Sequence, residues 1–195
     1  MVATEGLGRP ARSARTPAEL EWWLAQLSWA GDVEWSWTLR FLPRALHPDV
    51  DTLRTSSIAP ASGGGYLLAG DLRFREPTIA WVKKVDSEGH LVWHRTFEAA
   101  GGPNGAVALP LRDGGAYLAG KVEDERGLGS FWAARLAGDG EVVWQRTFMR
   151  GTPYAATLGR GERLVIAGIA REPDRQALLL VTPEGDASLM ALPGE

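Results

Sequence analysis

Three histidines, two short runs of acids and a glycine triplet are the residues of this 195-residue chain with chemistry to offer. His90 and His94 stand four apart in GHLVWH. On one strand they would share a face about 13 Å apart, too far to grip a single metal ion. They read as solvent-facing strand residues. His47–Pro48–Asp49 reads as a turn, and Asp49 with Asp51 lacks the glycine-centred loop of calcium sites. Gly63–Gly64–Gly65 lies between two strand candidates, not before a helix, so it cannot cradle a phosphate as a helix N-terminus does. It reads as a hairpin turn. Glu123, Asp124 and Glu125, and Glu172 with Asp174, read as solvated loop rims. The chain has no cysteine, which removes disulfides, thiol nucleophiles and cysteine-ligated metal. No G-x-S-x-G elbow, P-loop or H-E-x-x-H is present. The expectation is a chain without a catalytic site, metal or cofactor.

Tryptophan carries the stronger pattern. Three segments align: Trp23–Leu39 (WLAQLSWAGDVEWSWTL), Trp81–Phe97 (WVKKVDSEGHLVWHRTF) and Trp132–Phe148 (WAARLAGDGEVVWQRTF). A degenerate fourth copy, Ala177–Leu192, puts Leu189 where the second tryptophan would be. The turn glycines Gly31, Gly89, Gly140 and Gly185 follow at intervals of 58, 51 and 45 residues. Glycine supplies a positive φ there and the acids beside it can bond the turn backbone. Leu91, Trp93, Arg95 and Phe97 alternate with period two, so each copy predicts a β-hairpin with one face toward a core.

A second motif lies between the hairpins and ends in Ala-Gly at Gly70, Gly120 and Gly168. Before each stands a strand candidate, Ser56–Pro60, Ala106–Leu111 or Tyr154–Leu158, joined by a short glycine-rich turn. Four antiparallel strands in about 45–55 residues is the size of a propeller blade. Residues Asp86–Trp93 fit a D-x-x-G-x-x-x-W hairpin; the third copy has Ala137 at the acid position but keeps Gly140 and Trp144. On these residues the chain resembles bacterial propeller repeats of the PQQ-like type, over residues 21–195. The resemblance implies an all-β, β-propeller-like fold in which hairpin tryptophans wedge between adjacent blades. Quinoprotein dehydrogenases among the relatives use a full large ring, a central cofactor, a cation and a catalytic carboxylate. This chain is too short for such a ring alone, and none of its residues matches that site.

The predicted layout is a flexible tail over residues 1–20, a half blade at 21–41, and blades at about 52–99, 103–150 and 152–193. Thr16 and Pro17 could instead open a short helix, but the alignment favours a strand at Trp22–Leu24. An incomplete blade leaves a sheet face uncovered and strand edges unpaired. A small ring of four, two copies contributing about seven blades, or another protein adding strands would each resolve it. Trp29 replaces Ser87 and Gly138 in the turn, and Trp37 replaces Arg95 and Arg146. Both are candidate interface residues; the alternative is that they cover the chain's own 42–55 loop or its tail.

The formal net charge is −3, without the basic excess of a nucleic-acid surface. No stretch approaches the roughly 18 apolar residues of a membrane span. The N-terminus lacks the apolar core of a secretory signal, so a cytoplasmic protein is the default unless a signal was removed from a longer precursor. The functional expectation is a non-catalytic protein-interaction or assembly module. A sugar-binding propeller is the alternative, since aromatic faces stack on sugars; behind it stands a cofactor-binding enzyme fragment of the quinoprotein type, which rests on the resemblance alone.

Overall fold

The computed structural model describes residues 2–4, 20–41, 50–74, 78–98, 103–171 and 174–192. The strands are β1 (Val2–Thr4), β2 (Leu20–Leu27), β3 (Val33–Phe41), β4 (Val50–Pro60), β5 (Tyr66–Phe74), β6 (Thr78–Val85) and β7 (Leu91–Phe97). They continue with β8 (Pro103–Pro110), β9 (Ala116–Glu123), β10 (Gly129–Leu136), β11 (Val142–Leu158), β12 (Leu164–Ala170), β13 (Arg175–Val181) and β14 (Ala187–Ala191). The chain is all-β, as expected, and within each sheet every strand pairs antiparallel with the strand before or after it in sequence.

Strands β1–β3 form one sheet, β4–β7 a second, and β8–β14 a run of seven. The run divides at β11, whose 17 residues are long enough to serve twice. Its first half pairs with β10 and its second half, from Gly151, with β12. A third sheet (β8 to the first half of β11) and a fourth (the second half of β11 to β14) therefore share one continuous strand. Pro153 is tolerated within it because it sits at a register shift on the outermost strand of the fourth sheet.

The four sheets stack face to face in chain order, each with a forward face toward the next sheet and a rear face toward the one before. Leu24 and Trp35 of the first sheet pack on Leu68, Trp81 and Val85 of the second. Leu67, Val82, Trp93 and Phe97 on the forward face of the second meet Leu118 and Trp132 on the rear of the third. Tyr117, Phe131 and Trp144 of the third meet Leu164, Ile166 and Leu179 of the fourth. Middle strands such as β9 and β10 are buried on both sides, and their apolar residues run consecutively rather than alternating.

The hairpin turns share one design. The amides of Gly31, Gly89, Gly140 and Gly185 donate to the carbonyls of Ser28, Asp86, Ala137 and Thr182, at 2.9–3.1 Å. Each glycine has φ between 83° and 93°, a region open to glycine and strained for other residues. Side-chain oxygens of Ser28, Asp86 and Thr182 accept the amide four residues on. Ala137 has no such oxygen, and Asp139 accepts from Glu141 instead.

Two expectations need correcting. The flexible tail predicted for residues 1–20 contains β1, whose Val2–Thr4 pair with Trp23–Ala25, and Leu20 already belongs to β2. Short as it is, Val2-Ala3-Thr4 can pair with the open edge of β2, whose other side is taken by β3. His90 lies in the turn before β7, so it does not share a strand face with His94. Residues 5–19, including Thr16, and 42–49, including His47 and Asp49, lie outside the described residues.

Candidate interface at the two ends of the stack

The polar groups singled out from sequence mostly serve the backbone. His90 Nδ1 lies 3.2 Å from the Asp86 carboxylate in its own turn. Asp124 accepts the amides of Arg126 and Leu128, both at 2.9 Å. Those amide bonds, that of Leu128 first, hold the Asp124 carboxyl below its ordinary pKa. Gly63–Gly65 form the β4–β5 turn, each with positive φ. Among the described residues no three His, Asp or Glu side chains gather as a metal group. A cleft of about 170 Å³ between β8 and the second half of β11 is lined by Asn104, Lys121, Thr152 and Tyr154. It is smaller than the roughly 300–1,000 Å³ of small-molecule sites, and Lys121 is already paired with Glu123.

Trp29 and Trp37, read together from sequence, are not brought together. Trp37 is half-buried on the forward face of β3. Its ring lies where a Cβ on Gly89 would be, 2.5 Å from that position, and edge-on to His90 with centroids 5.0 Å apart. Trp37 thus packs the first sheet on the second. Trp29 sits at the tip of the β2–β3 turn and is 100% exposed.

Two further features escaped the sequence reading. The first is Trp23. Trp81 and Trp132, its counterparts in the aligned hairpins, are 3% and 0% exposed, each on the rear face of its sheet. Trp23 has the same position on the rear of the first sheet, which no described sheet covers, and is 39% exposed.

The second lies at the opposite end. Strands β12 and β13 alternate between buried and half-buried residues. The buried set, Leu164, Ile166 and Leu179 among it, faces the third sheet. The half-buried set is also apolar: Val165, Ala167, Ile169, Leu178 and Leu180 point forward, joined by Met190, which is 51% exposed. The signal was present in LVIAGIA and ALLLV, whose consecutive apolar residues suit a strand covered on both faces.

The fourth sheet also differs from the other three at its last strand. In β2–β3, β6–β7 and β10–β11 the register slips by one residue just after the turn. That bulge sets Trp35, Trp93 and Trp144 opposite Gln26, Lys84 and Arg135, on the forward face. The indole of Trp93 then donates to the Gly138 carbonyl (3.1 Å), and that of Trp144 to the Pro183 carbonyl (2.8 Å), in the next sheet's turn. β14 pairs with β13 without a slip, so Leu189 turns back beside Leu179. The fourth sheet sends no tryptophan forward.

Lys83 lies within the packing between the first and second sheets, its Nζ 5.8 Å from the centroid of the Trp81 ring. Burial lowers its pKa to about 8. Among the described residues no helix is long and apolar enough to cross a membrane. No protein-family profile matches the chain, and no curated protein matches it either.

Proposed function

We propose that the stacked sheets are about three and a half blades of a β-propeller-like repeat related to the PQQ-like type, and that the chain is a non-catalytic assembly module. Its open ends, the incomplete N-terminal blade included, are the docking surfaces. The observation that carries this reading is the forward face of the fourth sheet. Val165, Ala167, Leu178 and Leu180 stand in strands whose sequence suits burial on both sides, yet no described sheet lies over them. A contiguous apolar sheet face of this kind marks an interaction site. At the other end, Trp29 is a fully exposed tryptophan in a turn whose counterparts carry Ser87, Gly138 and Pro183. Aromatic residues so placed are the usual anchors of protein interfaces.

A photo-crosslinking residue in place of Trp29 or of Met190, in protein expressed in cells, tests the reading. Discrete protein adducts are expected at both positions, and none at the exposed loop position Glu125. Adduct levels at 29 and 190 no higher than at 125 would overturn it.

A further inference from the structure

We infer that a second copy of this chain covers both end faces, head to tail, so that the fourth sheet of each copy packs on the first sheet of the other. The inference rests on the assembly reading and names its partner. Its ground is the rule the molecule follows at its three internal junctions. Leu24 points forward from the first sheet, and from the second and third sheets apolar residues of the second and third strands do so: Leu67, Ala69 and Val82, then Tyr117, Ala119 and Ala133. The rear of the receiving sheet offers a tryptophan at two of them, Trp81 and Trp132. No described sheet lies over the forward face of the fourth sheet or over Trp23 on the rear of the first, and these two faces are the two halves of one more such junction. Val165, Ala167 and Leu178 occupy the aligned forward positions of the fourth sheet, half-buried. Trp23 occupies the aligned rear position of the first, 39% exposed.

The turns supply an independent match. Three turn glycines each have a side chain from the preceding sheet where a Cβ would stand: Trp37 at Gly89, Trp93 at Gly140, and Arg146 with Trp144 at Gly185. Gly31 has nothing among the described residues within 4 Å of that point. The preceding strand for Gly31 would be β14 of the second copy. There Ser188 and Met190 face forward and no tryptophan does. The aromatic that β14 lacks is supplied from the other side, by Trp29 in the Gly31 turn. Substitution on one face is thus matched by substitution on the other. Two such junctions related by a two-fold axis close on themselves, and two copies bring eight sheets, within the four to eight blades of closed rings.

Light scattering on the purified full-length chain tests this, with Trp29→Glu for the N-terminal end and Met190→Glu for the C-terminal end. Both residues are exposed, and unchanged melting of a dilute sample confirms that each variant folds. Wild type is expected at twice the 21.1 kDa chain mass, and each variant alone at least tenfold weaker in association. An equimolar mixture should regain dimer, because one unaltered junction remains between the C-terminal end of the Trp29→Glu copy and the N-terminal end of the Met190→Glu copy. A dimer through like faces would respond to one variant only and gain nothing on mixing. A monomeric wild type, a variant that keeps the wild-type mass, or a mixture that associates no better than its parts would each overturn the head-to-tail pairing. If a monomeric wild type still gives adducts to a different protein at positions 29 and 190, the assembly reading stands and only the choice of partner fails.

Discussion

Tyr117 and Lys83 show how polar atoms are held in the stack. Tyr117 is fully buried between the third and fourth sheets, 5.8 Å from the Trp144 ring, and its hydroxyl has no hydrogen-bond partner among the described residues. Burial raises its pKa. A buried hydroxyl without a partner costs about 1–3 kcal/mol. Tyr117→Phe keeps the ring and removes that cost, so chemical denaturation should find the variant about 1 kcal/mol more stable. Lys83 carries a pH dependence. Its folded pKa of about 8 lies below the ordinary 10.5, so the unfolded chain binds the proton more tightly between those values. The folded state is therefore penalised below pH 8, and stability rises as pH climbs from 8 to 10.5. Because Lys83 is only partly buried, the effect at neutral pH is about 1–2 kcal/mol. Lys83→Met should gain that amount at pH 7 and flatten the rise between pH 8 and 10.5, read from urea midpoints across that range. Trp37 shows where residue-level reading from sequence fell short. Its type and its departure from Arg95 and Arg146 were plain, but the surface it covers, the Gly89 turn, is 52 positions away and set by stacking.

At the scale of elements, the hairpin turn was the most legible unit. Serine, aspartate or threonine followed three residues later by glycine encodes its hydrogen bonds locally, so three of the four turns could be read without knowing what packs on them. The sheet-to-sheet role of the same glycines could not be read, since it depends on a side chain from another hairpin. That role separates two substitutions. Gly31→Ala and Gly140→Ala both place a Cβ on a backbone with φ near 90°, a strain of about 1 kcal/mol. At Gly140 the Cβ also meets the Trp93 ring at 2.6 Å, whereas at Gly31 none of the described residues lies within 4 Å. Gly140→Ala should therefore cost about 1–3 kcal/mol more than Gly31→Ala, from displacing a packed indole, as measured by paired thermal melts. The sequence places the first strand of each blade at Ser56–Pro60, Ala106–Leu111 and Tyr154–Leu158. They are found at Val50–Pro60, Pro103–Pro110 and the second half of β11. The continuity of β11 was hidden because Gly151-Thr152-Pro153 carries the residues that ordinarily punctuate a chain.

For the whole molecule, the proposed pairing through the end faces would link folding to concentration. A partner that binds only the folded chain stabilises it by mass action. Melting temperature should rise with protein concentration for wild type and stay level for Trp29→Glu, with the two converging at high dilution in differential scanning calorimetry. Burial on both faces was legible for the middle sheets because their apolar residues run consecutively, and the same runs in β12 and β13 were legible in kind. What the sequence could not supply was what lies beyond them, since no further described sheet follows the fourth in chain order. β11 has one more effect, on how the fold comes apart. With no loop between the third and fourth sheets, a tug on the C-terminus finds no slack at that boundary. The load passes along a single covalent strand from β12's partner into β10's. The last two sheets then share amide-exchange protection and yield in one event, and a protease finds no exposed joint at Gly151 at which to part them.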